Sequence, residues 1–210
     1  MKQKVFNLII LDESGSMFSI EEQTVSGLNE TIQTIKSAQC KHAEQEHFVT
    51  LMSFNSNHRT YHYDCEPVMN IGEFDGKNYQ PDCCTPLLDA IGDGISKLHT
   101  QIDANDKVLV TIITDGYENA SKEYNNKAIT KLIDKMRGEG WVITYLGANQ
   151  DAHKVAEDLH INNAMNFDAS STGVHYMFCD ELKRRGRFYD KIDLDCIKAS
   201  KDNYFDDDKN

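Results

Sequence analysis

The sequence predicts an α/β domain: a doubly wound, mostly parallel sheet of about six strands, with helices on both faces and one antiparallel strand at an edge. Three observations predict it. Apolar β-rich runs alternate with stripes of apolar residues at helical spacing along the whole chain. The runs are hydrophobic at successive positions, as strands covered on both faces must be. One pair of strands is joined by a turn too short for a helical crossover.

The first strand is Val5 to Leu11. Two lysines precede it, as in a signal peptide, but Asp12 and Glu13 end the apolar run early, so it reads as a strand. Val25, Leu28, Ile32 and Ile35 then recur on one helical face. Phe48 to Phe54 is the second strand, and Arg59 to Cys65 follows after a short Ser-Asn-His turn, which makes it an antiparallel edge partner. The polar stretch from Asn70 to Cys84, with two glycines and a proline, reads as a loop into the next helix. That helix carries Leu87, Leu88, Ile91, Ile95 and Leu98.

Val108 to Ile113 is the next strand, followed by a helix with Ile129, Leu132, Ile133 and Met136 inward. Trp141 to Leu146 is another strand, its tryptophan expected to pack against a helix. Ala152, Val155, Ala156 and Leu159 mark a shorter helix, Asn163 to Phe167 a last edge strand, and Ser171 to Arg185 a final helix. The expected organisation is one domain over 1–190 and an acidic tail over 191–210, whose DNYFDDDKN end should be frayed and solvated.

A formal net charge of −12 with no block of Lys and Arg argues against nucleic acid as a direct partner, unless a metal bridges it, and disfavours membrane surfaces. No apolar run approaches the roughly 20 residues of a spanning helix, and the expected location is the cytoplasm. Six cysteines (Cys40, Cys65, Cys83, Cys84, Cys179 and Cys196) without a C-x-x-C spacing are expected to be free thiols, not bridges, a zinc ribbon or a redox pair.

In a doubly wound sheet the ligand sits beyond the carboxyl ends of the strands, where strand order reverses. A Rossmann-like sheet for nucleotides would carry GxGxxG or GxxxxGK[ST] after its first strand, and this chain has neither. It has Asp12-Glu13-Ser14-Gly15-Ser16 after the first strand and Thr114-Asp115-Gly116 after the Val108 strand. Carboxylate and hydroxyl oxygens are hard donors that suit Mg²⁺ or Mn²⁺. Side chains at 12, 14 and 16 of a tight turn can meet at one point, with Gly15 giving the backbone freedom to turn.

These residues, with Cys84-Thr85-Pro86-Leu87 opening a helix, resemble the metal-ion-dependent adhesion site of von Willebrand factor A domains, most closely the stand-alone bacterial ones. The resemblance spans about residues 4 to 185. It implies that Ser14, Ser16 and Thr85 bind the ion directly, while Asp12 and Asp115 act through water or by holding the hydroxyls. It further implies an open coordination position for a Glu or Asp carboxylate of a partner protein, because neutral hydroxyls leave the ion's charge poorly neutralised.

The partner-facing rim is expected to comprise Glu13, Tyr117, Glu118, Asn119 and Asn149. Glu13 and Glu118 should face solvent; turned inward, either would fill the open position. Asn119 is expected to cap the following helix or serve loop polarity, with orientation of a metal-bound water as the alternative. The segment Gly147 to Asp151 either lines the same surface or simply starts a helix.

Other constellations are weaker. His58 and His62 flank an edge strand and read as surface residues, not as a zinc pair. His153 and His175 lack a G-x-S-x-G elbow to serve as hydrolase bases. The expected function is therefore non-enzymatic, metal-dependent protein binding. A haloacid dehalogenase-type phosphohydrolase also places an aspartate after its first strand, but needs a second one two residues on, where this chain has Ser14. A scaffold in a larger complex, its ion purely structural, is the third reading.

Overall fold

The computed structural model describes residues 2–148, 151–193 and 203–205. Asn149 of the expected rim, Cys196 and most of the acidic tail lie outside the described residues. Six strands form one sheet: β1 (Gln3–Asp12), β2 (Gln45–Phe54), β3 (Arg59–Pro67), β4 (Lys107–Thr114), β5 (Val142–Ala148) and β6 (Asn163–Phe167). Their order is β3-β2-β1-β4-β5-β6. All neighbours are parallel except β2 and β3, so the short turn after Phe54 does produce an antiparallel edge.

The chain builds outward from β1 in both directions, and the reversal therefore falls between β1 and β4. These strands pair from Val5↔Lys107 to Leu11↔Ile113, which brings Asp12 and Thr114 side by side at the carboxyl edge. Alternation along β1 divides the core. Val5, Ile9 and Leu11 face a cluster shared with helices α1 (Glu21–Lys41) and α5 (Ser171–Asp193). Phe6, Leu8 and Ile10 face a cluster shared with α2 (Leu87–Gln101), α3 (Asn126–Gly138) and α4 (Ala152–Asp158). Trp141, just ahead of β5, is buried in the second cluster, its ring 6.1 Å from that of His99 on α2.

Helix α1 comes so close to α5 that a Cβ added at Gly27 would overlap the Phe178 ring. α5 is also tied to the sheet face on which it lies. Arg185, fully buried, pairs with Glu181 at 2.7 Å, and donates to Asn7 Oδ1 of β1 at 3.1 Å and to Thr111 Oγ1 of β4 at 2.8 Å. A desolvated guanidinium is tolerable only with this many acceptors around it.

The carboxyl-terminal expectations need correction. α5 does not stop at Arg185 but continues to Asp193, because Phe188, Tyr189 and Ile192 prolong its buried stripe. The expected domain boundary at residue 190 falls within this helix. Tyr204, assigned to a solvated tail, is buried: its N–H donates to Asn163 Oδ1 at 2.8 Å and its hydroxyl to Glu181 Oε1 at 3.3 Å.

Candidate metal centre

The site begins where β1 runs out. The Asp12 carboxylate is inaccessible to solvent and engaged at both oxygens: Ser14 N donates to Oδ1 at 2.8 Å, and Thr114 Oγ1 to Oδ2 at 2.5 Å. Ser14 precedes a short 3-10 helix (Gly15–Ile20), whose first turn sets Ser16 beside it; the two hydroxyls are 3.3 Å apart. Ser16 Oγ donates to Asp115 Oδ1 at 2.5 Å, joining the turn after β1 to the residue after β4. Ser14, Thr85 and Asp115 are buried and Ser16 is exposed, so the group opens to solvent on the Ser16 side.

Thr85 arrives from the far side, and Gly116 reveals how near. A Cβ built on Gly116 would lie 2.9 Å from Thr85 Oγ1 and 3.6 Å from both Asp12 Oδ2 and Ser16 Oγ. Three oxygens from two separate segments, the turn after β1 and the loop before α2, thus face one small space that any side chain at 116 would occupy. All five expected ligand residues are brought together. The donor set, oxygen throughout and mixing carboxylate with hydroxyl, suits a hard divalent cation.

The electrostatics point the same way. Burial pushes the Asp12 carboxyl up to about 6 and raises Asp115 as well. Among the described residues no ion pair forms to either carboxylate. Two such groups in a low-dielectric pocket lack a counter-charge, which a bound cation would supply.

Several rim expectations change. Glu13 does not face solvent. Its neighbours in the turn point to the site, so its own side chain is directed away, where Oε1 accepts from Gln80 N at 2.6 Å and Oε2 lies 3.3 Å from His58 Nε2. Turned inward to the protein, it still does not fill the cradle; it holds the 71–82 loop. Asp82 N donates to Glu13 O at 3.0 Å and Tyr79 OH to Asp12 O at 2.8 Å, completing that seam.

Glu118 is also occupied, accepting from Leu88 N at 2.9 Å, Ala120 N at 2.9 Å and Ser121 N at 2.7 Å, so it caps α2. Asn119 caps no helix. It grips Thr85: Thr85 N donates to Asn119 Oδ1 at 2.8 Å, and Asn119 N to Thr85 O at 3.1 Å. The cap of α3 is Asn125, which accepts from Ala128 N at 3.0 Å. Tyr117, next to Gly116, is 58% exposed.

Gly15 is not in the left-handed region, so backbone freedom is not its evident use; its N–H donates to Cys83 O at 3.1 Å. His62 Nε2 lies 2.8 Å from Ser53 Oγ and its ring meets Phe74 edge-on, while His58 is turned to Glu13. His153 and His175 sit on different helices, α4 and α5.

Sequence reasoning missed Thr114 as the clamp on Asp12, Tyr79 as the support beneath it and Gly116 as the source of space. Thr114 and Gly116 lie within the T-D-G motif and were findable there. Tyr79, in an aperiodic polar loop, carried no signal.

The fold and site thus define a doubly wound α/β domain with an oxygen-lined cradle at its switch point. No family model matches the chain and no curated protein matches its sequence. Solved structures identify the fold as that of a von Willebrand factor A domain. A von Willebrand factor type A protein from Catenulispora acidiphila superposes with a TM-score of 0.63 at 12% identity over 87% of this chain and 42% of its own. The von Willebrand factor domain of a type V pilus tip protein from Porphyromonas gingivalis gives 0.59 at 7% identity, covering 93% of this chain and 97% of that one. The pilus adhesin SpaC from Lactobacillus rhamnosus GG, in an open conformation, gives 0.68 at 14% identity over 90% of this chain and 30% of the adhesin. The chain therefore spans less than half the length of the first and third of these proteins.

Proposed function

We propose that this chain is a non-enzymatic, cation-dependent protein-binding domain that engages an exposed Glu or Asp of a partner protein through Mg²⁺ or Mn²⁺. Ser14, Ser16 and Thr85 would hold the ion, with Asp12 and Asp115 supplying negative charge directly or through water. The ion would supply residual positive charge for an incoming carboxylate. The observation that carries this reading is the convergence of Thr85 Oγ1, Asp12 Oδ2 and Ser16 Oγ on the space over Gly116, next to two carboxylates without an ion-pair partner among the described residues.

The chain's own residues support binding over catalysis. Both Asp12 oxygens accept hydrogen bonds from rigid neighbours, and Ser14 stands where a phosphohydrolase needs its proton donor. The fold neighbours include proteins named as a pilus adhesin and a pilus tip protein. No helix among the described residues is long and apolar enough to cross a membrane.

Thermal melting in chelator and in millimolar Mg²⁺ or Mn²⁺ tests the reading, in the wild type and in Asp12→Ala and Thr85→Ala. The wild type should be stabilised and both variants less so. A wild type whose melting ignores both metals overturns the proposal. Capture of partners with and without chelator separates binding through the ion from a purely structural ion, and a phosphatase assay should remain blank.

A further inference from the structure

Thr85 is placed unlike the other residues of the cradle. Asp12 and Asp115 stand at the ends of paired strands, and Ser14 and Ser16 lie in a turn pinned to them. Thr85 belongs instead to the loop before α2, with Cys84 exposed on one side and Pro86, which has no N–H to give, on the other. No strand pairs with it. Its two backbone polar groups go to one residue: Thr85 N donates to Asn119 Oδ1 at 2.8 Å, and Thr85 O accepts from Asn119 N at 3.1 Å. This is the two-bond pattern of a strand pair, with a side-chain amide replacing one backbone carbonyl.

The partner comes from the loop that also bears Asp115 and Gly116. That loop is itself locked to α2: Glu118 accepts from Leu88 N at 2.9 Å, Ser121 Oγ from Asp89 N at 3.1 Å, and the Asp89 carboxylate from Lys122, Glu123 and Tyr124 N at 2.8 to 2.9 Å. Glu118 and Asp89 thus fix how the loop meets the helix, and among the described residues it is Asn119 that bonds the backbone of Thr85, two positions before the helix. Fixing the Thr85 peptide on both sides fixes where its Cβ stands relative to Gly116, which limits Oγ1 to the few staggered positions of one rotor.

We infer that Asn119 is the positioning residue for Thr85, and that the rigidity it imposes makes the centre selective for a small cation. The inference rests on the metal-binding reading proposed above and deepens it. Mg²⁺ requires near-ideal octahedral geometry at about 2.0–2.1 Å, whereas Ca²⁺ accepts irregular shells at about 2.3–2.6 Å. A Thr85 free to shift by a few tenths of an ångström loses Mg²⁺ more than it loses Ca²⁺. Asn119 is exposed, so water can replace the lost acceptor and the fold is little affected by its removal.

The test uses the full chain as wild type, Asn119→Ala and Asn119→Asp. Asn119→Ala removes the acceptor and keeps the backbone donor; Asn119→Asp keeps both. Calorimetric titrations with Mg²⁺ alone and Ca²⁺ alone give the two affinities, and melting in chelator gives the stability of the metal-free fold. Asn119→Ala should weaken Mg²⁺ binding about 10-fold, as loss of an outer-shell partner does, and Ca²⁺ binding by less, so that the Mg²⁺/Ca²⁺ preference falls. Melting in chelator should stay near the wild-type value, and Asn119→Asp should restore the preference. Equal weakening of both ions, or no change in either, overturns the inference while leaving the metal centre standing. A wild type without any Mg²⁺ response fails at the earlier step and overturns both.

Discussion

Replacing Gly116 with alanine should remove the metal response while leaving the domain folded. The backbone at 116 is outside the left-handed region, so alanine is conformationally allowed there. Its methyl would lie 2.9 Å from Thr85 Oγ1, closer than real contacts allow, and 3.6 Å from Asp12 Oδ2 and Ser16 Oγ. Relieving one such contact is mild overpacking, about 1–3 kcal/mol, offset by about 0.4–1 kcal/mol from a stiffer unfolded chain. The metal-free variant should therefore lose about 1 kcal/mol, or about 2–4 °C for a domain of this size. In the wild type, Mg²⁺ at a hundred times its Kd adds about 2.7 kcal/mol, equivalent to about 5–11 °C. Scanning fluorimetry in chelator and in Mg²⁺ separates these effects: the variant should melt slightly lower in chelator and show no gain with Mg²⁺. A full wild-type gain in Gly116→Ala would refute the placement of the ion over residue 116.

Three further outcomes follow from the same geometry. In chelator, Asp12 should destabilise the fold as it ionises: its folded carboxyl titrates at about 6, so the neutral form's contribution is complete below the ordinary carboxylate range and is lost as pH rises through about 6. At about 1.4 kcal/mol for each pH unit of displacement, that is roughly 3 kcal/mol. Urea titrations should find Asp12→Asn more stable than wild type at pH 7 in chelator and equal to it near pH 4; equal stability at both would contradict the burial argument. Arg185→Met should cost about 3–5 kcal/mol by stranding the buried Glu181, and adding Glu181→Leu should recover much of it; an additive double-mutant cycle would show that the pair is not coupled. Gly27→Ala should lower the urea midpoint despite better helix propensity, because its methyl would enter the Phe178 ring; a raised midpoint would mean that α5 moves aside freely.

The sheet was legible because its central strands are continuous apolar runs, two of which end abruptly in acids: Leu11 before Asp12, and Thr114 before Asp115. The same abruptness marked the two ends that meet at the switch point. Where periodicity stops, legibility stops with it. In the turn after β1, nothing in the residue types tells whether Glu13 points to solvent or to Gln80 and His58; the tight turn, which sends its neighbours to the site, decides it. Thr85 was readable only through family resemblance, since its position depends on a hydrogen-bonding partner 34 residues away.

The end of α5 failed for a different reason. Arg185 looks like the polar close of a helix, because arginine is rarely buried. Glu181 stands one turn back on the same helix, but only the tertiary structure places Asn7 and Thr111 where they can receive it. Tyr204, among acidic residues near the chain's end, was likewise read by its neighbours' charge, when its burial depends on Asn163 and Glu181.

The central claim is that one divalent cation sits among Ser14, Ser16 and Thr85, over Gly116. Crystals grown with Mn²⁺ and measured at the manganese absorption edge test it most directly. The account predicts a single strong anomalous peak within about 2.5 Å of the three hydroxyl oxygens, a distance characteristic of divalent ions with oxygen ligands. A cradle without anomalous density, or a peak at His58 and Glu13 instead, would contradict it.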